Sequence, residues 1–125
     1  MQREEAQAGS RRLHLTLPPD VHAPATARRA LRALPLGQRA GDVVLLASEL
    51  VASAVTGGAH DRDEPIELSA SCEPGRTRVE IHDHGHGLAA GDMAGGYGLQ
   101  VLSAASERWG IEHDRTTRVW FEVDQ

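Results

Sequence analysis

Apolar and polar residues alternate along four stretches of the chain, as they do in strands that bury one face. Between the second and third stretches, Glu73-Pro74-Gly75-Arg76 favours a tight turn and therefore a hairpin. A further short strand is predicted around Ile111, ahead of the last stretch. The four alternating stretches are residues 13–17, 66–72, 79–83 and 117–123.

Helical spacing of apolar residues predicts three helices. The first begins near Pro24, turns its arginines outward, and ends before Pro35 and Gly37. The second begins after Gly41, with Asp42 as its N-cap, and runs through VVLLASELVASAV to Gly57-Gly58. Its apolar residues cover most of its circumference, so burial is expected, and three polar residues within it are conspicuous. These are Ser48, Glu49 and Ser53.

A glycine-rich loop from Gly85 to Gly98 precedes the third helix, which begins near Leu99. The resulting order of elements is β-α-α-β-β-loop-α-β-β. It predicts an α+β fold, a two-layer α/β sandwich with a mixed, mostly antiparallel sheet covered by helices on one face. Residues 1–10 are polar and small and predict a disordered tail, whereas residues 11–125 predict a single domain.

Composition and charge narrow the class of protein. The net charge of −5 argues against a nucleic-acid binder that relies on phosphate attraction. A single cysteine, Cys72, excludes an internal disulfide and favours a reducing compartment. The start of the chain has no apolar signal core, and no apolar run is expected to approach the ~20 residues of a membrane helix. A soluble, cytoplasmic protein without membrane contact is predicted.

Six arginines lie between residues 11 and 39, which gives the N-terminal third a basic character. They could face an acidic protein partner, or they could simply form a solvated helix face. Both interpretations remain open from the sequence. The six are Arg11, Arg12, Arg28, Arg29, Arg32 and Arg39.

Asp83 is the first residue that core packing does not explain. It shares the inward face of a strand with Val79 and Ile81, so the strand ends on an acid. A carboxylate at the end of a buried strand can accept a hydrogen bond from the exocyclic amino group of adenine. Gly96, Gly98 and the helix beginning at Leu99 would offer backbone N–H groups to phosphates.

Four motifs in order along the chain resemble the boxes of the GHKL (histidine kinase-like) ATPases. VEIHDHGHG looks like the Asp-x-Gly-x-Gly box, and GGYGLQVL looks like the second glycine box. The helix VVLLASELVASAV is similar to the N box, and TTRVWFEV is similar to the closing strand. Within that family, the short chain resembles the anti-sigma-factor serine kinases and the small ATP-binding regulatory proteins of actinobacteria.

The resemblance implies the Bergerat fold, ATP or ADP as ligand, Mg²⁺, and a sigma factor or an anti-sigma antagonist as partner. It implies that Glu49 activates the acceptor hydroxyl or a water. A homodimer is compatible with the resemblance, and the basic first helix is its predicted interface. The remaining implied site residues contact the nucleotide: Asp83 at adenine, Gly85 and Gly87 beside it, Thr117 next to the base, Gly96, Gly98 and Leu99 at the phosphates, and Ser53 at the metal.

Ser53 is the main departure from the family pattern. It occupies the position of the N-box asparagine, whose amide oxygen ligates Mg²⁺, and a hydroxyl is a shorter and poorer ligand. The segment 88–95, which corresponds to the lid, also contains no lysine or arginine. Two functions therefore remain: a nucleotide-dependent regulator with kinase activity, and a nucleotide-independent binding module that keeps the same fold.

The sequence His82-Asp83-His84-Gly85-His86 suggests an alternative of another class, a metal-dependent hydrolase. Alternation along an extended strand would put the three imidazoles on one side, where two could chelate Zn²⁺. The glycines predict that the extended geometry ends after Asp83, and no distant carboxylate or histidine is evident as a further ligand. The sequence therefore favours the nucleotide pocket.

Overall fold

The computed structural model describes residues 2–7, 9–59, 63–84 and 97–125. Gly85, Gly87 and Gly96 of the predicted site lie outside the described residues. Within these ranges the chain forms six strands and three α-helices. They are β1 (Gln2–Gln7), β2 (Ser10–Leu17), α1 (Ala23–Arg32), α2 (Ala40–Ala54), β3 (Ile66–Glu73), β4 (Arg76–Asp83), α3 (Tyr97–Ala105), β5 (Arg108–His113) and β6 (Thr117–Asp124).

The six strands form one sheet in the order β1-β2-β3-β4-β6-β5, with helices packed on one face. This confirms the predicted two-layer α/β sandwich. Each neighbouring pair of described strands is antiparallel, where a mixed sheet was expected. Three of these pairs are hairpins, whose strands necessarily run in opposite directions.

The core lies between the sheet and the helices and is built mainly from alanine, valine and leucine, as the low aromatic content predicts. Alternate residues of each central strand are buried, and their neighbours face the opposite, open side of the sheet. Phe121 is the largest fully buried side chain. The helix face of the sheet is therefore apolar, and the open face is polar.

Strand β1 occupies most of the segment for which a disordered tail was predicted. It pairs antiparallel with β2 from Gln2 opposite Leu15 to Gln7 opposite Ser10, and Gly9 has a φ of 75° in the connection. Backbone hydrogen bonds to a neighbouring strand do not require apolar side chains, so hydrophobic patterning does not reveal such a strand. Polar residues on an edge strand also discourage pairing with other chains.

Helix α2 begins two residues earlier than predicted, because a 3₁₀ turn over Gly37–Arg39 leads directly into it. The predicted N-cap, Asp42, instead lies in the first turn and accepts a hydrogen bond of 2.8 Å from Arg39 Nε. At the other end, a π-helical turn over Val55–Ala59 continues past Gly57. The predicted helix is confirmed, and both of its ends differ by a few residues.

One segment, Gly37–Gly57, is long and apolar enough to cross a membrane by length and composition. The sequence had predicted no such segment. The core helices of globular domains pass the same test, and here α2 packs against α1, α3 and β4. Its burial inside the fold explains why so many apolar residues occur in succession.

Arg39, which directly precedes α2, forms hydrogen bonds with residues at the C-terminal ends of α3 and β6. Its guanidinium donates hydrogen bonds to Glu107 Oε1 at 2.7 Å and to the backbone oxygens of Ala105 and Asp124. The hydrogen bond from Arg39 lowers the pKa of the Glu107 carboxyl below its ordinary value of 4.5. The hydrogen bond from Arg108 lowers the pKa of the Glu122 carboxyl below its ordinary value of 4.5. It also lowers the pKa of the Asp124 carboxyl below its ordinary value of 3.8.

We expect acid to destabilise the fold through these carboxylates. Because their pKa values are lowered on folding, their contribution is fully present above 4.5 and is lost as the pH falls through the lower folded values. Urea unfolding of Glu107→Gln should show a lower midpoint than the wild type at about pH 7, with the difference shrinking as the pH falls below 4.5. The control is Glu112→Gln, an acid that is 65% exposed in its ion pair with Arg118. A difference for Glu107→Gln that persists in acid would contradict the prediction.

Candidate functional site

Asp83 lies at the last position of β4, on the helix face, and is 0% exposed. Its neighbours across the sheet are Ile66 at the start of β3 and Thr117 at the start of β6. Both are also fully buried, so three strands present an isoleucine, an aspartate and a threonine side by side. The structure thus brings together Asp83 and Thr117, two predicted site residues that are distant in sequence.

Thr117 is held by a neighbour on the adjacent strand. His113 Nδ1 lies 2.7 Å from the Thr117 hydroxyl oxygen, and the two residues are paired in the register of β5 and β6. This contact orients the hydroxyl beside the Asp83 strand end. The sequence alone did not identify His113 as a site residue, because its contact with Thr117 depends on the register of the last hairpin.

Glu49 and Ser53 lie one helical turn apart on α2 and therefore share a face. Glu49 is exposed and Ser53 is half-buried, whereas Ser48 is buried and donates its hydroxyl to the backbone oxygen of Leu45 at 3.0 Å. Helix α2 packs on β4, the strand that carries Asp83, and on α3. The N-box residues are therefore on a helix that contacts both of the other elements of the site.

The start of α3 agrees with the prediction of a helix beginning near Leu99. The helix spans Tyr97–Ala105, so Gly98 and Leu99 lie in its first turn. The first N–H groups of a helix have no partner within it and can bind an anion. Two of the three glycine-box residues predicted at the phosphates are therefore at a helix N-terminus, and the third, Gly96, falls outside the described part of the chain.

The hydrogen-bonding groups at Asp83 suit adenine. A fully buried carboxylate is a strong acceptor for an amino group, and a hydroxyl lies in the adjacent strand. The donors on α2 are a carboxylate and a hydroxyl, both of the oxygen class that Mg²⁺ prefers. Of the predicted ligands, Asp83 and Thr117 would hold the base, and Ser53 would face the metal together with phosphate oxygens.

On the open face of the sheet, a second polar cluster joins Glu67 to His82 and His84, the histidines of the metal alternative. His82 and His84 point away from the Asp83 side, and both contact Glu67 of β3. Glu67 is the distant carboxylate that the metal alternative lacked, and His86 lies beyond the described residues. The two-residue turn between β3 and β4 could have revealed it, since counting back from that turn pairs Glu67 with His82.

Opposing influences act on the Glu67 carboxyl. Its partial burial would raise its pKa, but the hydrogen bond from His84 and the nearby charges of His84 and His82 together lower the pKa below its ordinary value. His14 also approaches the other carboxylate oxygen, with Nε2 3.6 Å from Oε1. Glu67 is therefore a carboxylate surrounded by three imidazoles.

Comparison with known families agrees with the geometry. Residues 17–122 match the family model of the histidine kinase-like ATPase domain. No individual curated protein matches the chain. The matched region includes β3, β4 and α2 completely and extends into β6, so it contains Asp83, Thr117, Glu49 and Ser53. The chain therefore belongs to the histidine kinase-like ATPase domain family, a family of nucleotide-binding domains.

Proposed function

We propose that this protein is an ATP- and ADP-binding regulator of transcription that controls a sigma factor or an anti-sigma antagonist through nucleotide-linked binding. The observation that carries the proposal is the fully buried Asp83 carboxylate beside Thr117, at a strand end of a chain that belongs to a nucleotide-binding family. A buried carboxylate is a strong hydrogen-bond acceptor for a ligand that presents an N–H group.

Asp83 would accept a hydrogen bond from the adenine amino group, and Thr117 would contact the ring beside it. The first turn of α3, with Gly98 and Leu99, would receive the phosphates through its free N–H groups. Mg²⁺, when bound, neutralises charge on the phosphates. In this arrangement the base binds at the sheet and the phosphates bind at the helix layer.

The arginines of α1 support a protein partner. Arg29 and Arg32 are exposed and Arg28 is half-buried, and none of the three forms an ion pair within the described part of the chain. A groove of about 370 Å³ runs between α1 and α2, and Arg28, Arg32 and Glu49 all contribute to its lining. An acidic partner that docks on α1 would therefore lie next to Glu49.

Kinase activity is the finer part of the proposal. Glu49 would accept the proton of a partner serine or threonine hydroxyl as its oxygen attacks the γ-phosphorus and ADP leaves. The exposure of Glu49 in the groove supports access by a partner. Ser53 in place of asparagine favours the second candidate, a module that keeps the fold and binds its partner without nucleotide. A cytoplasmic location follows from a transcriptional role and is part of the proposal.

Calorimetric titration with ATP and ADP, with and without Mg²⁺, tests the proposal. We expect the wild type to bind both nucleotides with a similar affinity, because the adenine end carries the recognition. We expect Ser53→Asn to gain a Mg²⁺-dependent increase in ATP affinity, since the amide oxygen reaches further than the hydroxyl. Ser103→Asn, an exposed serine of α3, is the matched control.

The outcomes separate the two candidates. Absence of ATP and ADP binding by the wild type at millimolar concentrations would refute the nucleotide-linked function and support the nucleotide-independent module. Binding of nucleotide by the wild type, with turnover that appears only in Ser53→Asn, would identify a regulator that has lost phosphoryl transfer. Loss of that turnover in Ser53→Asn combined with Glu49→Gln would assign the proton acceptor.

A further inference from the structure

The cluster on the open face of the sheet has the composition of a transition-metal site. Glu67, His82 and His84 each direct one ligand atom to a common point, and these three atoms all lie within 4.8 Å of one another. Two imidazoles and one glutamate are a donor set that zinc takes in proteins, with a further position left open. Imidazole also suits cobalt, nickel and copper, so the donor set alone defines a class of divalent ions.

The separations of the ligand atoms agree with a tetrahedral ion. Bonds of about 2.0–2.1 Å place tetrahedral ligand atoms about 3.3 Å apart. Glu67 Oε2 lies 2.9 Å from His84 Nε2 and 3.3 Å from His82 Nδ1. The third separation, between the two imidazole nitrogens, is within 4.8 Å.

The backbone holds the ligands in place. Glu67 and His82 are direct partners in the register of β3 and β4, and His84 follows His82 by two residues. The two imidazole rings lie with their centroids 4.5 Å apart. Strand pairing brings Glu67 and His82 together, and His84 follows directly after the end of β4.

Hydrogen bonds to hydroxyl groups orient the rings from outside the cluster. His82 directs Nδ1 to Glu67 while its Nε2 lies 2.9 Å from the Thr116 hydroxyl. His14, beside the second oxygen of Glu67, has its Nδ1 3.1 Å from the Ser69 hydroxyl. Protein metal sites use such outer partners to keep the ring proton on the nitrogen that faces away from the metal.

Access and charge also permit an ion. The side chains of Glu67, His82 and His84 are 31%, 23% and 39% exposed, so an ion can enter directly from solvent. The nearest cationic neighbour in register is Arg118, opposite His82, and its guanidinium is directed to Glu112 at 3.7 Å. The Glu67 carboxylate supplies negative charge to the site.

We propose that Glu67, His82 and His84 form a binding site for a divalent transition-metal ion of the zinc class on the open face of the sheet. His14 and Thr116 act as orienting residues for the carboxylate and for the His82 ring. The site lies on the face opposite Asp83, so it is distinct from the proposed nucleotide pocket, and its test does not depend on nucleotide binding.

Isothermal titration of the untagged full chain with Zn²⁺, in the absence of nucleotide, tests the proposal. We expect one ion per chain, with at least ~10-fold weaker binding in each of Glu67→Gln, His82→Ala and His84→Ala. Thr116→Val should weaken binding by a smaller factor, because it removes only an orienting contact. The matched control is His22→Ala, an exposed histidine at the start of α1, which should leave the affinity unchanged.

Titration with Co²⁺ provides a second readout, since its visible spectrum reports the coordination geometry. A tetrahedral spectrum in the wild type that is lost in His84→Ala would support the site. Circular dichroism of each variant verifies that it is folded, which we expect because the three ligands are outside the core. Equal Zn²⁺ affinity in the wild type and the three ligand variants would overturn the proposal, as would binding that His22→Ala weakens as strongly as His84→Ala.

Discussion

Replacing Asp83 with asparagine is expected to weaken the binding of ATP and ADP by ~10- to 100-fold, the range of a lost hydrogen bond to a charged group. The substitution keeps the shape of the side chain and removes its charge. Because Asp83 is 0% exposed, water cannot replace the lost interaction. Calorimetry or fluorescence titration with each nucleotide measures the effect.

The pattern across ligands distinguishes a base contact from a general loss of structure. Asp83 would contact only the base, so ATP, ADP and adenosine should all lose affinity by the same factor. Preference for ATP over GTP should fall as well, since guanine carries a carbonyl where adenine carries the amino group.

Glu80→Gln is the matched control, because Glu80 belongs to the same strand but faces the open side of the sheet. Glu80→Gln should leave the affinities for ATP and ADP unchanged. If Asp83→Asn is folded and binds ATP as well as Glu80→Gln does, Asp83 is not the adenine acceptor. A loss confined to ATP, with ADP and adenosine unaffected, would place Asp83 near the phosphates and would also contradict the assignment.

Phe121→Ala is expected to lower the free energy of unfolding by ~3–5 kcal/mol, the range for phenylalanine truncation in a core. Phe121 is the only phenylalanine of the chain and the largest fully buried side chain among the residues that the structure describes. It lies on β6 between Val79 of β4 and Trp109 of β5. Since domains are stable by only ~5–15 kcal/mol, this loss is a large fraction of the total stability.

Urea unfolding measures this loss, provided that the dependence of the unfolding free energy on urea concentration is the same in the variant and the wild type. The control is Val21→Ala, which also removes apolar atoms but from a side chain that is 81% exposed, and it should change stability by less than ~0.5 kcal/mol. A change below ~1 kcal/mol for Phe121→Ala would mean that the sheet and helices do not close over this side chain as described. If the variant is too unstable to purify, Phe121→Leu should give a smaller loss in the same direction.

Local patterns predicted much of the architecture. Alternation identified β2, β3, β4 and β6, and helical spacing identified α1, α2 and α3 near their observed positions. Alternation also predicted that Asp83 would lie on the inward face of its strand, because side chains alternate with a period of two whichever strands lie beside them. The resemblance to the histidine kinase-like ATPases also followed from motifs in the sequence, and the family match supports it.

Features that depend on backbone pairing or on side-chain hydrogen bonds, and not on hydrophobic spacing, were not predicted. Strand β1 is polar and lies at an edge, so its pairing with β2 leaves no mark on hydrophobic spacing. Helix α2 was expected to start at Asp42, but the preceding 3₁₀ turn and the Arg39 hydrogen bonds extend it. In each case a backbone or side-chain partner elsewhere in the chain decides the outcome.

The sequence by itself determined most of the helices and strands, the burial of Asp83 and the motifs of the family, because these depend on residues close together in the chain. Only the tertiary structure decided that Thr117 lies beside Asp83 and that Glu49 lines a groove with the arginines of α1. It also decided that Glu67 meets His82 and His84 on the open face. Such contacts follow from the order and register of the strands, which are fixed when the sheet and the helices bury a common core.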